Sequence, residues 1–356
     1  MLDLSLRRED EAYLNFVVGL KTLSGRIMNQ KVQAVYQQKA EVWSNEHAGK
    51  APATVQEVSD LVADLPQTKM GRFLSRKSQE MMWSGIEQAY KTRVESLQAA
   101  LNLPPEEPYG RLELDPAMPL PDYYARHEFH VQPGSYYTSD MSAIVYNLAQ
   151  QVYHLRTNDK TENQRAVVRA FPPPPTSEPT MVRILDMGCG FGTTTWPFCE
   201  LYSQAEIWGI DLAAPLLKLA HQKAQDYGFR VNFSQQNAEQ TSFPNGHFDL
   251  ILAHAVLHEL DKPAMAKVVA EAYRLLKPGG TFIDSDVTPY RELTPFGRFV
   301  TDWQTEHNGE PYWRTKLAET YLPATFEQVG FKATHEYGLG TSKIAPKFPW
   351  LTIGQK

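Results

Sequence analysis

From residue 182 to 287 the chain alternates short apolar runs with amphipathic stretches, and this alternation is the strongest constraint on its fold. Runs 182–187, 206–211, 229–234, 248–253 and 281–287 read as strands, and 194–202, 215–227 and 263–276 as the helices between them. Strand–helix alternation at this spacing predicts an α/β fold with a doubly wound, Rossmann-like parallel sheet.

The first half has a different texture. Tyr13, Phe16, Leu20, Leu23 and Ile27 recur at helical spacing, which predicts a helix that buries this face. Thr54-Val55-Gln56-Glu57 has the form of a capping box opening a second helix, which Pro66 is expected to end. A third helix is predicted over 68–101 and a fourth over 142–157. The proline-rich segment 104–141 excludes any long regular element but carries Arg111, Tyr123, Tyr124, Arg126, His127, His130, Tyr136 and Tyr137. Phe171-Pro172-Pro173-Pro174-Pro175 favours a stiff, extended spacer. The expected organisation is an all-helical domain over 1–171, a linker over 172–179 and the α/β domain over 180–356.

Composition narrows the function. Hydrophobic residues at 42% and charged residues at 21% suit a folded core, and 35 Lys+Arg against 41 Asp+Glu give a net charge of −6. A basic field that would gather phosphate backbones is missing, so nucleic acid is not expected as a partner. Cys189 and Cys199 are the two cysteines, too few for a disulfide framework. The first ten residues are acidic without an apolar signal core, and the apolar stretch 250–257 is broken by His254. A cytoplasmic protein without membrane association is the expectation.

Asp186-Met187-Gly188-Cys189-Gly190-Phe191-Gly192 follows the first predicted strand and opens the first helix. Glycines at the carboxyl end of such a strand let a ligand approach the backbone without meeting a Cβ. The Gly-x-Gly-x-Gly spacing differs from the dinucleotide fingerprint, and no Gly-Lys-Ser/Thr follows. Asp211 ends the second strand, where a carboxylate can accept both hydroxyls of a ribose. Together these predict a nucleoside ligand.

With these motifs the region from Thr180 to Gln355 resembles the class I S-adenosylmethionine-dependent methyltransferases, joined by 248–254 and by Leu276-Lys277-Pro278-Gly279-Gly280. The resemblance implies a seven-stranded sheet and S-adenosyl-L-methionine as cofactor. It implies that Asp186, Gly188, Cys189, Gly190, Gly192 and Thr193 hold the methionine part and Asp211 the ribose. Leu212, Asn237, Ala238 and His254 would border the rest of the cofactor. Asn237 stands where the family commonly has Asp, and its carbonyl can accept the same hydrogen bond from the adenine amino group.

The expected partner is a small-molecule acceptor. His258, in Leu257-His258-Glu259, resembles the base of the two-domain small-molecule O-methyltransferases, which deprotonates a hydroxyl. His254, His127, Tyr136 and Arg291 are further candidates, Arg291 because guanidinium suits an acceptor carboxylate. His254 and His258 lie four apart, yet His254 is predicted to sit in the strand and no His-Glu-x-x-His motif is present, so no metal is expected. Asp284 and Asp286 alternate on the fifth strand and so point the same way, either with one of them facing the site or as hydrogen-bonded groups at the strand end. The aromatic insertion from Tyr290 to Arg314 reads as a lid. O-methylation leads, with S- or C-methylation, a sulfonium-assisted cyclisation or elimination, and a silent cofactor-binding scaffold as alternatives. The N-terminal helices leave a homodimer open.

Overall fold

A computed structural model describes residues 2–102, 109–158, 160–174, 181–313, 320–343, 345 and 347–356. The N-terminal part contains α1 (Arg8–Thr22), a π-helical turn (Leu23–Met28), α2 (Asn29–Glu46), α3 (Val55–Val62), α4 (Pro66–Tyr90) and α5 (Val94–Leu101). The Thr54 hydroxyl accepts the Glu57 N–H, and the Glu57 carboxylate accepts the Thr54 N–H, completing the predicted box. Pro66 does not end this helix. It occupies the first turn of α4, where its missing N–H would have had no helical partner. A 3-10 turn over Lys91–Arg93 divides the predicted 68–101 helix into α4 and α5.

The predicted buried face of α1 is corrected. Tyr13, Phe16 and Ile27 are 38%, 57% and 41% exposed, whereas Leu14 and Val17 are buried. The π turn is the cause beyond residue 22: an extra residue per turn rotates the following side chains, so a 3.6-residue period cannot be carried through to Ile27.

The proline-rich segment holds β1 (Leu112–Glu113), α6 (Asp122–Ala125) and a 3-10 turn at Phe129–Val131, and α7 (Asp140–Tyr153) and α8 (Glu162–Arg169) follow. Pro104, Pro105, Pro108, and residues 175–180 of the expected linker region, lie outside the described residues. The α/β part runs β2 (Arg183–Met187), α9 (Thr195–Leu201), β3 (Glu206–Asp211), α10 (Ala214–Tyr227), β4 (Asn232–Gln235), β5 (Phe248–His254), α11 (Lys262–Leu275), β6 (Leu276–Asp286), α12 (Pro295–His307), α13 (Leu322–Val329), β7 (Lys332–Gly338) and β8 (Trp350–Gln355).

The sheet order is β1-β4-β3-β2-β5-β6-β8-β7, with β8 antiparallel to both neighbours. Seven strands form the expected doubly wound sheet. The eighth, β1, comes from the N-terminal half and pairs in parallel with β4 through Leu112 and Glu113. Alternate residues serve opposite faces. Ile184, Leu250 and Leu252 pack with α8, α9 and α10, while Leu185, Met187 and Ile251 pack with α11 and α13. Above the carboxyl ends of the strands, Leu14, Trp83, Ile86, Ile144 and Val152 form a helical core continuous with Phe191 and Leu216 of the α/β part. No described helix is long and apolar enough to cross a membrane.

Candidate active site

The glycine turn after β2 hangs on β3: the N–H groups of Gly188 and Cys189 both donate to the Ile210 carbonyl, at 2.8 and 2.9 Å. Gly192 has φ +94°, and a Cβ there would come 2.1 Å from the Trp196 ring, so both backbone and neighbour require glycine. At Gly190 a Cβ would meet nothing within 4 Å, which leaves the turn open to a ligand. Asp211 accepts the Gly190 N–H at 3.0 Å and the Ala213 N–H at 2.8 Å, tying the turn to the start of α10.

Asp186 accepts the Thr194 and Thr195 hydroxyls on one oxygen, each at 2.7 Å, while its other oxygen is buried without a partner. An orphaned buried carboxylate oxygen carries a desolvation cost that a ligand donor would relieve. Burial pushes both Asp186 and Asp211 up to about 6, against the hydrogen bonds that favour their charged forms.

These groups border a cavity of about 1130 Å³. Single ligand pockets run to roughly 300–1,000 Å³, so the space suits a cofactor together with an acceptor. Its wall includes Gly188, Cys189, Gly190, Thr193, Asp211, Leu212, Asn237, Ala238 and His254. Asp186 and Gly192 support the turn from beneath. The Asn237 carbonyl accepts the Glu239 N–H at 2.9 Å and keeps its second lone pair. The open turn at Gly190 and the carboxylate at Asp211 fit an aminoacyl nucleoside.

The opposite wall joins histidines and carboxylates from four parts of the chain. His258, in the 3-10 turn after β5, has Nδ1 2.6 Å from Asp286 Oδ1 at the end of β6, and its backbone N–H donates to Asp286 Oδ2 at 3.1 Å. His258 Nε2 lies 3.9 Å from Glu310. The same Glu310 approaches His130 Nδ1 at 2.5 Å, and His130 Nε2 lies 3.3 Å from Glu259. Tyr136 donates its hydroxyl to Glu259 at 2.9 Å.

Burial opposes charge on both imidazoles, but the carboxylates outweigh it. Asp286, helped by Glu310 and Glu259, lifts His258 to about 9, and Glu310 with Glu259 lifts His130 to about 10. His254 is different: its Nδ1 contacts the Ser285 hydroxyl at 3.0 Å, and burial pushes it down to about 4.

The structure therefore brings His254, His258 and Tyr136 to the cavity and leaves two sequence candidates outside it. His127 packs edge to face on Tyr312, with ring centroids 5.3 Å apart. Arg291 pairs with Glu336 and lies over the Tyr321 ring, so its charge is already matched away from the cavity wall. Arg126 pairs with Asp122 at an exposed position. Glu310 and Glu259 had no local signal, since their chemistry arises from contacts far apart in sequence. Of the expected lid, α12 packs through Phe296 and Phe299 on Val58 and Val62 of α3, and Glu310 and Trp313 reach the cavity. Arg314 lies outside the described residues.

Comparison with known proteins agrees with this geometry. Residues 184–280, from the first buried residue of β2 into β6, match the family described as a methyltransferase domain. The chain is similar to a demethylmenaquinone methyltransferase of Lactiplantibacillus plantarum, 31% identical over 43% of this chain and 71% of that protein. It is similar to the ubiquinone/menaquinone biosynthesis C-methyltransferase UbiE of Psychromonas ingrahamii, 35% identical over 33% of this chain and 49% of the relative, about half its length. A solved phosphoethanolamine N-methyltransferase 2 of Haemonchus contortus has a TM-score of 0.44 and 17% identity over 63% of this chain and 47% of that one. The Lactiplantibacillus relative aligns over most of its own length, and with it the chain belongs to the class I S-adenosylmethionine-dependent methyltransferases.

Proposed function

We propose that the protein methylates the oxygen of a small phenolic or enolic acceptor, and that His258 takes the hydroxyl proton. The observation carrying this reading is the His258–Asp286 pair at 2.6 Å, which fixes one ring nitrogen and leaves Nε2 on the cavity side. A phenol has an ordinary pKa of about 10. An imidazole raised to about 9 is a cation at neutral pH, so His258 takes the proton from its neutral form, and turnover should rise as pH approaches 9.

S-adenosylmethionine, when bound, supplies the sulfonium methyl. The chain's contribution is to place the acceptor in line with that methyl and to keep water out. Tyr124, Tyr136, Tyr146 and Trp313 give the acceptor space aromatic walls, suited to a flat, largely apolar molecule. The His130 imidazolium, between Glu259 and Glu310, offsets one of the two negative charges that would repel a phenolate.

The relatives named above act, by their names, on carbon or on demethylmenaquinone. This favours a second reading in which the same deprotonation activates a ring carbon. Incubation of the full chain with S-adenosylmethionine and a panel of hydroxylated aromatics tests both. A new O–CH3 resonance in the product supports the first reading, and a C–CH3 resonance replaces it with the second. Turnover that survives His258→Gln undiminished overturns the assignment of the base.

A further inference from the structure

The cavity extends away from the cofactor motif along the last turn of α1, the π turn and α2, and the charges in that arm differ from those at the His258 end. Its contributors from these elements include Lys21, Ser24, Arg26 and Asn29, and none of them is acidic. Lys21 donates to Gln79 Oε1 at 2.6 Å and lies 5.1 Å from the Tyr153 ring centre. An ammonium has three N–H donors. Among the described residues Lys21 has no carboxylate partner and no second hydrogen-bond acceptor. The three carboxylates on the cavity wall are engaged elsewhere: Asp211 by Gly190 and Ala213, Glu259 by Tyr136 and His130, and Glu310 by His130. Burial pushes Lys21 down to about 8, the direction expected for a cation that lacks a counter-ion.

Gln79 joins this ammonium to the proton-transfer end. Its amide nitrogen donates to the His130 carbonyl at 2.7 Å and to the Tyr153 hydroxyl, so one side chain spans from Lys21 to the histidine cluster. The segment carrying the ammonium is the π-helical turn's own lead-in, and such turns are frequent at functional sites.

Resting on the reading of the cavity as a methyl-acceptor site, we propose that the acceptor is a hydroxylated carboxylic acid whose carboxylate pairs with Lys21 while its hydroxyl faces His258. A carboxylate suits the site better than a phosphate dianion. Lys21 lies inside a continuous helical run from α1 through the π turn into α2, so no helix N-terminus adds to its charge.

The test uses full-length protein saturated with S-adenosylhomocysteine, titrated calorimetrically with hydroxybenzoic, hydroxyphenylpropanoic and hydroxyindole carboxylic acids and with the methyl ester of each. At least one acid is expected to bind about ten-fold or more tighter than its ester. Lys21→Met is expected to reduce that preference to about two-fold or less, and Lys21→Arg to keep most of it. Unchanged S-adenosylhomocysteine affinity and an unchanged melting temperature in Lys21→Met establish that the loss is local. Esters binding as well as acids, no acid binding at all, or a preference that survives Lys21→Met overturns the proposal. So does a parallel loss of S-adenosylhomocysteine affinity, which would assign the ammonium to the cofactor's own carboxylate. The two readings fail separately: ester turnover without acid preference removes the carboxylate site and keeps methyl transfer, whereas Lys21-dependent acid binding without any methylated product does the reverse.

Discussion

His258 Nδ1 stands 2.6 Å from Asp286 Oδ1, across the gap between the turn after β5 and the end of the adjacent strand β6. The carboxylate fixes the ring tautomer and raises its basicity, as a second carboxylate does for a catalytic imidazole. His258→Gln is expected to lower turnover by about a hundred- to ten-thousand-fold, the range for a general base, with S-adenosylhomocysteine affinity unchanged by calorimetry. Asp286→Asn removes the charge that lifts His258 to about 9, so the acid limb of the pH–rate profile should move to lower pH. A limb that stays in place in the variant would detach that ionisation from His258.

Stability should depend on the same histidines. Their pKa values are raised in the folded state, to about 9 for His258 and about 10 for His130. A raised folded pKa contributes stability that is fully present below the unfolded value of about 6.5 and is lost as pH rises through the folded value. The melting temperature should therefore fall between about pH 6.5 and 10, and His130→Gln should flatten that fall. Scanning calorimetry across this window decides the matter, since a wild-type curve flat to pH 10 contradicts it.

Cofactor affinity rests on Asp211. Its folded pKa of about 6 comes first from burial, which its two backbone N–H bonds offset in part. Ribose hydroxyls donating to the carboxylate would favour the ionised form, so binding should release protons in buffers near pH 6. Asp211→Ala leaves those donors unmatched and should weaken S-adenosylhomocysteine binding by about 10- to 100-fold, from roughly 1–3 kcal/mol per unmatched buried group. Titration in buffers of different ionisation enthalpy measures both effects.

Gly309 holds two chain segments together over the cavity. Its carbonyl accepts the His130 N–H at 2.8 Å, and a Cβ would come 2.5 Å from the Val131 backbone nitrogen. His130 and Val131 both have left-handed backbones, at φ 56° and 59°, a strain sustained only by such surroundings. Gly309→Ala, itself at φ +77°, should cost about 1–3 kcal/mol. Amide exchange at 128–132 should accelerate in this variant while exchange in β2 and β5 does not; equal protection throughout would refute the clamp.

The parts legible in the sequence were those whose chemistry lies within a few residues. The glycine turn, Asp211 at a strand end and the Thr54 capping box each follow from local geometry, and the strand–helix alternation gave the sheet. Arg291 illustrates the limit: a guanidinium placed just past a strand suggests an anion site, but Glu336, 45 residues later, satisfies it. Glu310 is the converse, since nothing adjacent marks a carboxylate that lies between His130 and His258. The exposed Phe16 shows a third failure, in which an apolar spacing identifies a helix but not which of its neighbouring faces the roof will cover.

The two residues of β1 change how the molecule can breathe. Because Leu112 and Glu113 are stitched to the outer rim of the sheet, the helical roof is moored at that edge. The N-terminal half therefore cannot lift away as a body without tearing the margin of the sheet.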